Sequence, residues 1–359
     1  MTRRKFKKKS FPSRLESGRG SVVIFVLGII LLAAFLITRL MDRAAVELAA
    51  ESKAAQRAGL REEALSGLEA CLAVLADESA ARSGLHDPAE GWAHPLSLMN
   101  YDPAEGFTIE ARVEDETGKL SLPMADEAVL GGYLDAIGCP ATAQDRLIDA
   151  LMVWTRPDRL STEGDADSAL LAAAKLPYEA PQRALRSFAE LRAIPAAREL
   201  FFDESGNWNE LGRRFQAGVS LFAFNASNVN SARSEVLLAR GVDASRIAAM
   251  AALREQQNSH PSIFRNVADL NAAWGGDATR PGLGTDALCL HVIVTVKSGA
   301  RVYRLDAWVR PPGAAVSTAT GRRQTKTVET APVASVRNNP PKKVDYPFQI
   351  LELRDNDGT

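Results

Sequence analysis

At 359 residues the chain exceeds the usual size of one compact domain, and 46% hydrophobic with 24% charged residues excludes a collagen-like or wholly disordered polymer. The formal net charge of −1 conceals an uneven split. Residues 3–19 carry eight Lys and Arg against Glu16, a net of +7, so the remainder stands at −8 and is no polyanion binder by bulk charge. Three cysteines, Cys71, Cys139 and Cys289, are too few and too scattered for a disulfide framework or a zinc template, and read as small core residues.

The basic leader ends in Arg19-Gly20, and an uncharged apolar run follows from Ser21 to Thr38. At ~1.5 Å per residue such a run just crosses a hydrocarbon core of ~30 Å. By the positive-inside rule the leader stays in the cytoplasm and everything after Thr38 lies across the membrane. No small-x-small cleavage site closes the run, which continues into Arg39, Asp42 and Arg43.

A Gly placed before the hydrophobic run resembles the type IV prepilin signal. That resemblance implies cleavage by a prepilin peptidase between Gly20 and Ser21, and methylation of the new N-terminus at Ser21. The alternative on this segment alone is a plain, uncleaved signal anchor. Most pilins carry Glu at the fifth mature position, where a buried carboxylate needs a partner such as a neighbour's N-terminal amine. This chain has Phe25 there. The K-type minor pseudopilins of the type II secretion system share that absence, which suits a subunit with nothing stacked above it.

Residues 44–81 are rich in Ala, Leu, Glu and Arg and free of Pro. Leu60, Ala64, Leu68, Cys71, Leu72 and Leu75 draw one apolar stripe, which predicts a long helix running from the membrane onto a sheet, with soft points at Gly59 and Gly67. Residues 83–103 read as loop. Phe107, Ile109, Ala111 and Val113 alternate with polar residues as a half-buried strand, and Asp115-Glu116-Thr117-Gly118 turns the chain into a second short strand, Lys119 to Leu122. This step is similar to the D-x-x-G-K-x-x-L that precedes the helical insertion of K-type pseudopilins.

From Pro123 to about Leu283 helical signals replace alternation. Asp145 to Trp154 forms an amphipathic helix ended near Arg156-Pro157, and Ser187 stands as an N-cap ahead of Phe188-Ala189-Glu190-Leu191. Both segments are similar to K-type sequences, although Thr155-Arg156 stands where an acid is common. The sharpest motif is Asn228-Val229-Asn230-Ser231-Ala232, an N-x-N-x-A ahead of an apolar helix. Asn caps helices and tolerates left-handed geometry, so Asn228, Asn230 and Ala232 read as a packing turn leading into that helix. Helix-hairpin-helix DNA-binding domains carry a near copy. Between Pro123 and Thr285, however, 16 Lys and Arg face 20 Asp and Glu, whereas a phosphate-binding module should be basic.

Strands return at Cys289–Val296 and Arg301–Val309, joined across Lys297-Ser298-Gly299-Ala300 as a hairpin. Residues 311–343 read as a disordered linker, and residues 344–354 alternate again as a last edge strand. The expected architecture is α+β and pilin-like, a long N-terminal transmembrane helix packed on a small antiparallel sheet with a large inserted all-α domain. Its segments are the leader 1–20, the helix 21–83, the first sheet part 84–122, the insertion 123–285, the hairpin 286–310, the linker 311–343 and the last strand with its tail 344–359.

The resemblance, which spans about residues 19–310, implies a non-enzymatic subunit at the tip of the type II secretion pseudopilus, single-pass in the bacterial inner membrane with its bulk in the periplasm. Its implied partners are I-type and J-type minor pseudopilins, the inner-membrane assembly platform and the prepilin peptidase. No catalytic motif stands in the sequence. K-type pseudopilins bind calcium, and the acidic run Asp158, Glu163, Asp165 and Asp167 offers oxygen ligands for Ca²⁺, with a solvated acidic loop as the simpler reading. The alternative function is a membrane-anchored helix-hairpin-helix protein that binds DNA.

Overall fold

The computed structural model describes residues 18–157, 159–162, 179–256, 263–274, 282–312 and 348–358. The chain divides into two compact units, 1–59 and 60–359. One helix, α1 (Gly18–Arg82), runs through both. In the first unit its side chains from Val22 onward are exposed, including the apolar ones up to Leu48.

The second unit holds the sheet. Strands β1 (Thr108–Asp115), β6 (Leu290–Ser298), β7 (Arg301–Arg310) and β8 (Gln349–Gly358) form four antiparallel neighbours in the order β1-β6-β7-β8. Alternation puts Val292, Val294 and Val296 of β6 and Tyr303, Leu305 and Ala307 of β7 on one face, all buried. All six residues of the α1 stripe, from Leu60 to Leu75, are buried in the same hydrophobic cluster. Gly67 is a point of contact and not a soft point: a Cβ there would stand 2.3 Å from Ile109 Cδ1. Helix and sheet approach closely because that position lacks a side chain.

The opposite face of the sheet is polar and built around Asp306. Its carboxylate accepts from His291 Nε2 (2.8 Å), Arg304 Nε (2.9 Å) and Nη2 (2.7 Å), and Asn356 Nδ2 (2.7 Å). Burial pushes the Asp306 carboxyl up, but these donors more than offset it and hold it well below the usual carboxylate range. Trp308 stacks on His291 at 4.2 Å between ring centres.

Between β1 and β6 the chain makes a largely helical excursion. In order it contains β2 (Leu120–Ser121), α3 (Glu127–Ala136), α4 (Ala141–Thr155), a 3₁₀ turn at Phe188–Ala193, α5 (Pro195–Phe201), α6 (Glu210–Gly218), β3 (Val219–Ser220), β4 (Ser227–Asn228), α7 (Ser234–Ala239), α8 (Ala244–Gln256), α9 (Val267–Trp274) and β5 (Leu283–Gly284). A short helix, α2 (Pro95–Leu98), precedes β1. A second hydrophobic cluster fills the excursion, with Leu147, Leu151, Phe201, Phe215 and Leu237 among its buried members. Ser187 caps as expected, its Oγ accepting from Ala189 N, but the element it starts is 3₁₀.

Three expectations need correction. Residues 119–122 do not continue the main sheet: β2 is two residues long and pairs in parallel with β3, because Glu116–Gly118 forms a 3₁₀ turn that lifts the chain off the sheet. The excursion is not purely helical, since β4 and β5 form a second two-residue parallel pair that ties it where it returns. The last strand starts at Gln349 and runs to Gly358, later in the chain than the alternation suggested. Residues 313–343 of the expected linker lie outside the described residues.

Candidate functional site

Two places carry functional weight. The first is the start of α1, where Gly20 and Ser21 both lie in helical backbone and Phe25 is 69% exposed. Among the described residues this is the one helix long and apolar enough to cross a membrane. Its length and composition fit a membrane anchor near the N-terminus.

The second is where the helical excursion leaves and rejoins the sheet. Here the Asp115–Lys119 step meets the Asn228–Ala232 motif, more than a hundred residues away in sequence. Asn228 Nδ2 donates to Asp115 Oδ2 at 2.7 Å and to the His86 carbonyl at 2.6 Å. Its Oδ1 accepts from the backbone N–H and the side-chain amide of Asn230. Asn230 Nδ2 also donates to the carbonyls of Phe264 and Thr285, and its Oδ1 accepts from Phe264 N. Ser231 Oγ closes the cluster on Asp115 Oδ2, and Ser227 Oγ donates to the Lys119 carbonyl.

Thr117 secures the returning strand. Its Oγ1 accepts from the backbone N–H groups of Leu288 and Cys289 at 2.8 and 2.9 Å, while Asp115 Oδ1 accepts from Thr117 N. The buried His86 points Nδ1 at two acceptors, the Thr285 carbonyl (3.2 Å) and Asp286 Oδ1 (3.1 Å), so that nitrogen carries the proton. Gly118 allows the two motifs to touch: a Cβ there would lie 2.7 to 2.9 Å from Ser231 Oγ, O and C.

Burial pushes the Asp115 carboxyl up to about 6, although hydrogen bonds from Ser231, Thr117 and Asn228 pull the other way. The arrangement is a lock made of hydrogen bonds. Ser231 spends its proton on Asp115, and the histidine in the cluster, His86, faces a carbonyl and Asp286, so no serine–histidine relay forms here.

Asn228, Asn230 and Ala232, read from the sequence as a packing turn leading into a helix, lie in this cluster. They do not cap the helix that follows. The residue before α7 is Arg233, which makes no side-chain cap, and both asparagines are buried with their amides spent on the protein. Sequence reading missed His86, Thr117 and Thr285. A Thr or His that serves carbonyls across long sequence distances leaves no periodic signal.

Asp158, Glu163, Asp165 and Asp167 lie outside the described residues. Among the described residues no group of three or more His, Cys, Asp or Glu is arranged to hold a metal ion.

Residues 114–203 match the model of the family described as type II secretion system protein K. The match begins one residue before Asp115 and so takes in the first half of the lock. No curated protein matches the chain. Among solved structures, a chain of the crystal structure of the GspK–GspI–GspJ complex from the enterotoxigenic Escherichia coli type 2 secretion system superposes with a TM-score of 0.54 at 13% identity, over 88% of this chain and 99% of that one. At that identity the likeness concerns the fold, which is that of a pilin-like subunit with a helical insertion. Over residues 114–203 the chain is thus similar to the type II secretion system protein K family, in agreement with the K-type motifs that its sequence resembles.

Proposed function

We propose that the chain is a minor pseudopilin at the tip of the type II secretion pseudopilus, anchored in the bacterial inner membrane with its bulk in the periplasm. It nucleates assembly with I-type and J-type partners, draws on the assembly platform, and supports export of folded proteins across the outer membrane. The observation that carries this reading is the protein K domain inserted by a hydrogen-bonded lock into a sheet that packs on an apolar-tipped helix. Phe25, in place of a carboxylate, fits a subunit that receives no neighbour above it. Its work is structural, through surfaces.

Deleting the gene and restoring it with the wild-type chain tests the proposal. Secretion should stop and return, and secretion that continues without the chain would refute it. Intact mass of the membrane-extracted chain tests the leader: with the prepilin peptidase present it should begin at N-methylated Ser21. Calcium binding at Asp158, Glu163, Asp165 and Asp167 belongs to the same proposal. Added Ca²⁺ should raise the unfolding temperature of the wild type but not of a chain with all four changed to Asn or Gln.

A further inference from the structure

Strand β8 is attached unlike its neighbours. β6 and β7 are joined by a two-residue turn, whereas β7 ends at Arg310 and β8 begins at Gln349, so 38 residues connect two adjacent antiparallel strands. Two to five residues suffice for such a hairpin. At ~3.3 Å per residue that connection reaches on the order of 100 Å, far more than it has to span.

The side-chain hold on β8 is also thin. β6 buries Leu290, Val292, Val294 and Val296 in turn, but on β8 Ile350 and Leu353 stay 48% and 38% exposed. What fastens β8 is its main-chain ladder, a hydrophobic plug and a few polar clasps. The plug is Phe348, buried just ahead of the strand. Asn356 Nδ2 donates to Asp306 Oδ2, the Arg354 guanidinium lies 4.9 Å over the Trp308 ring, and Asp355 pairs with Arg61 of α1 at 3.3 Å. The bulge in the ladder between Trp308 and Val309 interrupts it once. A strand held mainly by backbone pairing is the kind that another chain can supply.

We propose that the edge of β7 is a strand-acceptor site, filled in this structure by the chain's own β8, and that β8 of a second copy can fill it. Phe348 supplies the anchor and Asn356 the register, because its partner Asp306 sits at one fixed place on the acceptor face. The tether decides which strand wins: a linked strand competes at an effective concentration of about millimolar, so exchange rises only where copies are crowded.

The test uses the full chain with a protease site placed within residues 313–343, and a fluorescent peptide of residues 347–358 standing for the second copy's strand. After cutting, the chain should stay folded and take up the peptide saturably, with uptake by the uncut chain lower by ~10-fold or more. A peptide carrying Phe348→Ala and Asn356→Ala should compete poorly. No uptake by the cut chain, precipitation on cutting, or equal uptake of the altered peptide would each overturn the proposal. Hydrogen exchange on the unmodified chain is an independent check: β8 amides should exchange at least ~10-fold faster than those of β6. Equal protection of the two strands would also overturn it.

Discussion

Asn228 Nδ2 lies 2.7 Å from Asp115 Oδ2 and 2.6 Å from the His86 carbonyl, so one buried amide group holds the exit of β1 and the loop after α1 together. Removing it takes the donor from the His86 carbonyl and leaves Asp115 Oδ2 with Ser231 alone in a dry site, and an unpaired buried acceptor costs ~1–3 kcal/mol. Asn228→Ala should therefore lower stability by about 2–4 kcal/mol in urea unfolding of the detergent-solubilised chain. Asn228→Asp should be no better, since it sets a carboxylate against Asp115. A loss below ~0.5 kcal/mol would show that the lock is not a stabilising element.

Asp115 and Asp306 predict opposite responses to pH. The folded Asp115 holds its proton up to about pH 6, against ~3.9 for an unfolded Asp. Its contribution is therefore fully present below pH ~4 and is lost as pH rises through 6, to the extent of about 3 kcal/mol or less. Stability of Asp115→Asn should lack that slope, whatever its absolute level.

Asp306 has its carboxyl depressed, so its contribution is present above pH ~4 and is lost as the solution becomes more acid. Asp306→Ala removes the acceptor shared by His291, Arg304 and Asn356, and should cost ~1–3 kcal/mol at neutral pH with a weaker acid dependence. Urea midpoints taken from pH 3 to 8 separate this carboxylate from Asp115.

Gly118→Ala should destabilise by ~1–3 kcal/mol, because two of the three atoms that a Cβ meets belong to the Ser231 backbone and cannot rotate away. Gly118 has no left-handed φ to lose, so its loss reports the Ser231 contact without backbone strain. A loss below ~0.5 kcal/mol would show that Ser231 contact is not the reason for Gly118.

Leu75→Ala removes a fully buried member of the α1 stripe and should cost ~2–5 kcal/mol. The same change at Leu48, an exposed position of α1 in the first unit, should leave unfolding unchanged within ~0.5 kcal/mol.

The parts legible in the sequence are those with a period. The 3.6-residue stripe from Leu60 to Leu75 and the two-residue alternation of β1, β6 and β7 reappear as buried faces, because burial itself imposes those periods. The lock was half legible. Its asparagines stood out by residue type, but their partners did not, since hydrogen bonds from Asn230 to Phe264 and Thr285 follow no spacing. The two-residue strands β2 to β5 were invisible for a related reason: a ladder of two residues is too short to show alternation.

Cys71, Cys139 and Cys289 are buried and unpaired, and burial drives the Cys71 thiol up to about 12 and raises the other two. Thiolate is the reactive form, so all three should ignore maleimides, iodoacetamide and disulfide exchange while the fold is intact. The native chain is thus silent toward thiol-directed reagents. A single cysteine introduced on its surface would become the sole handle for site-directed cross-linking to neighbouring subunits, with no native residue removed first.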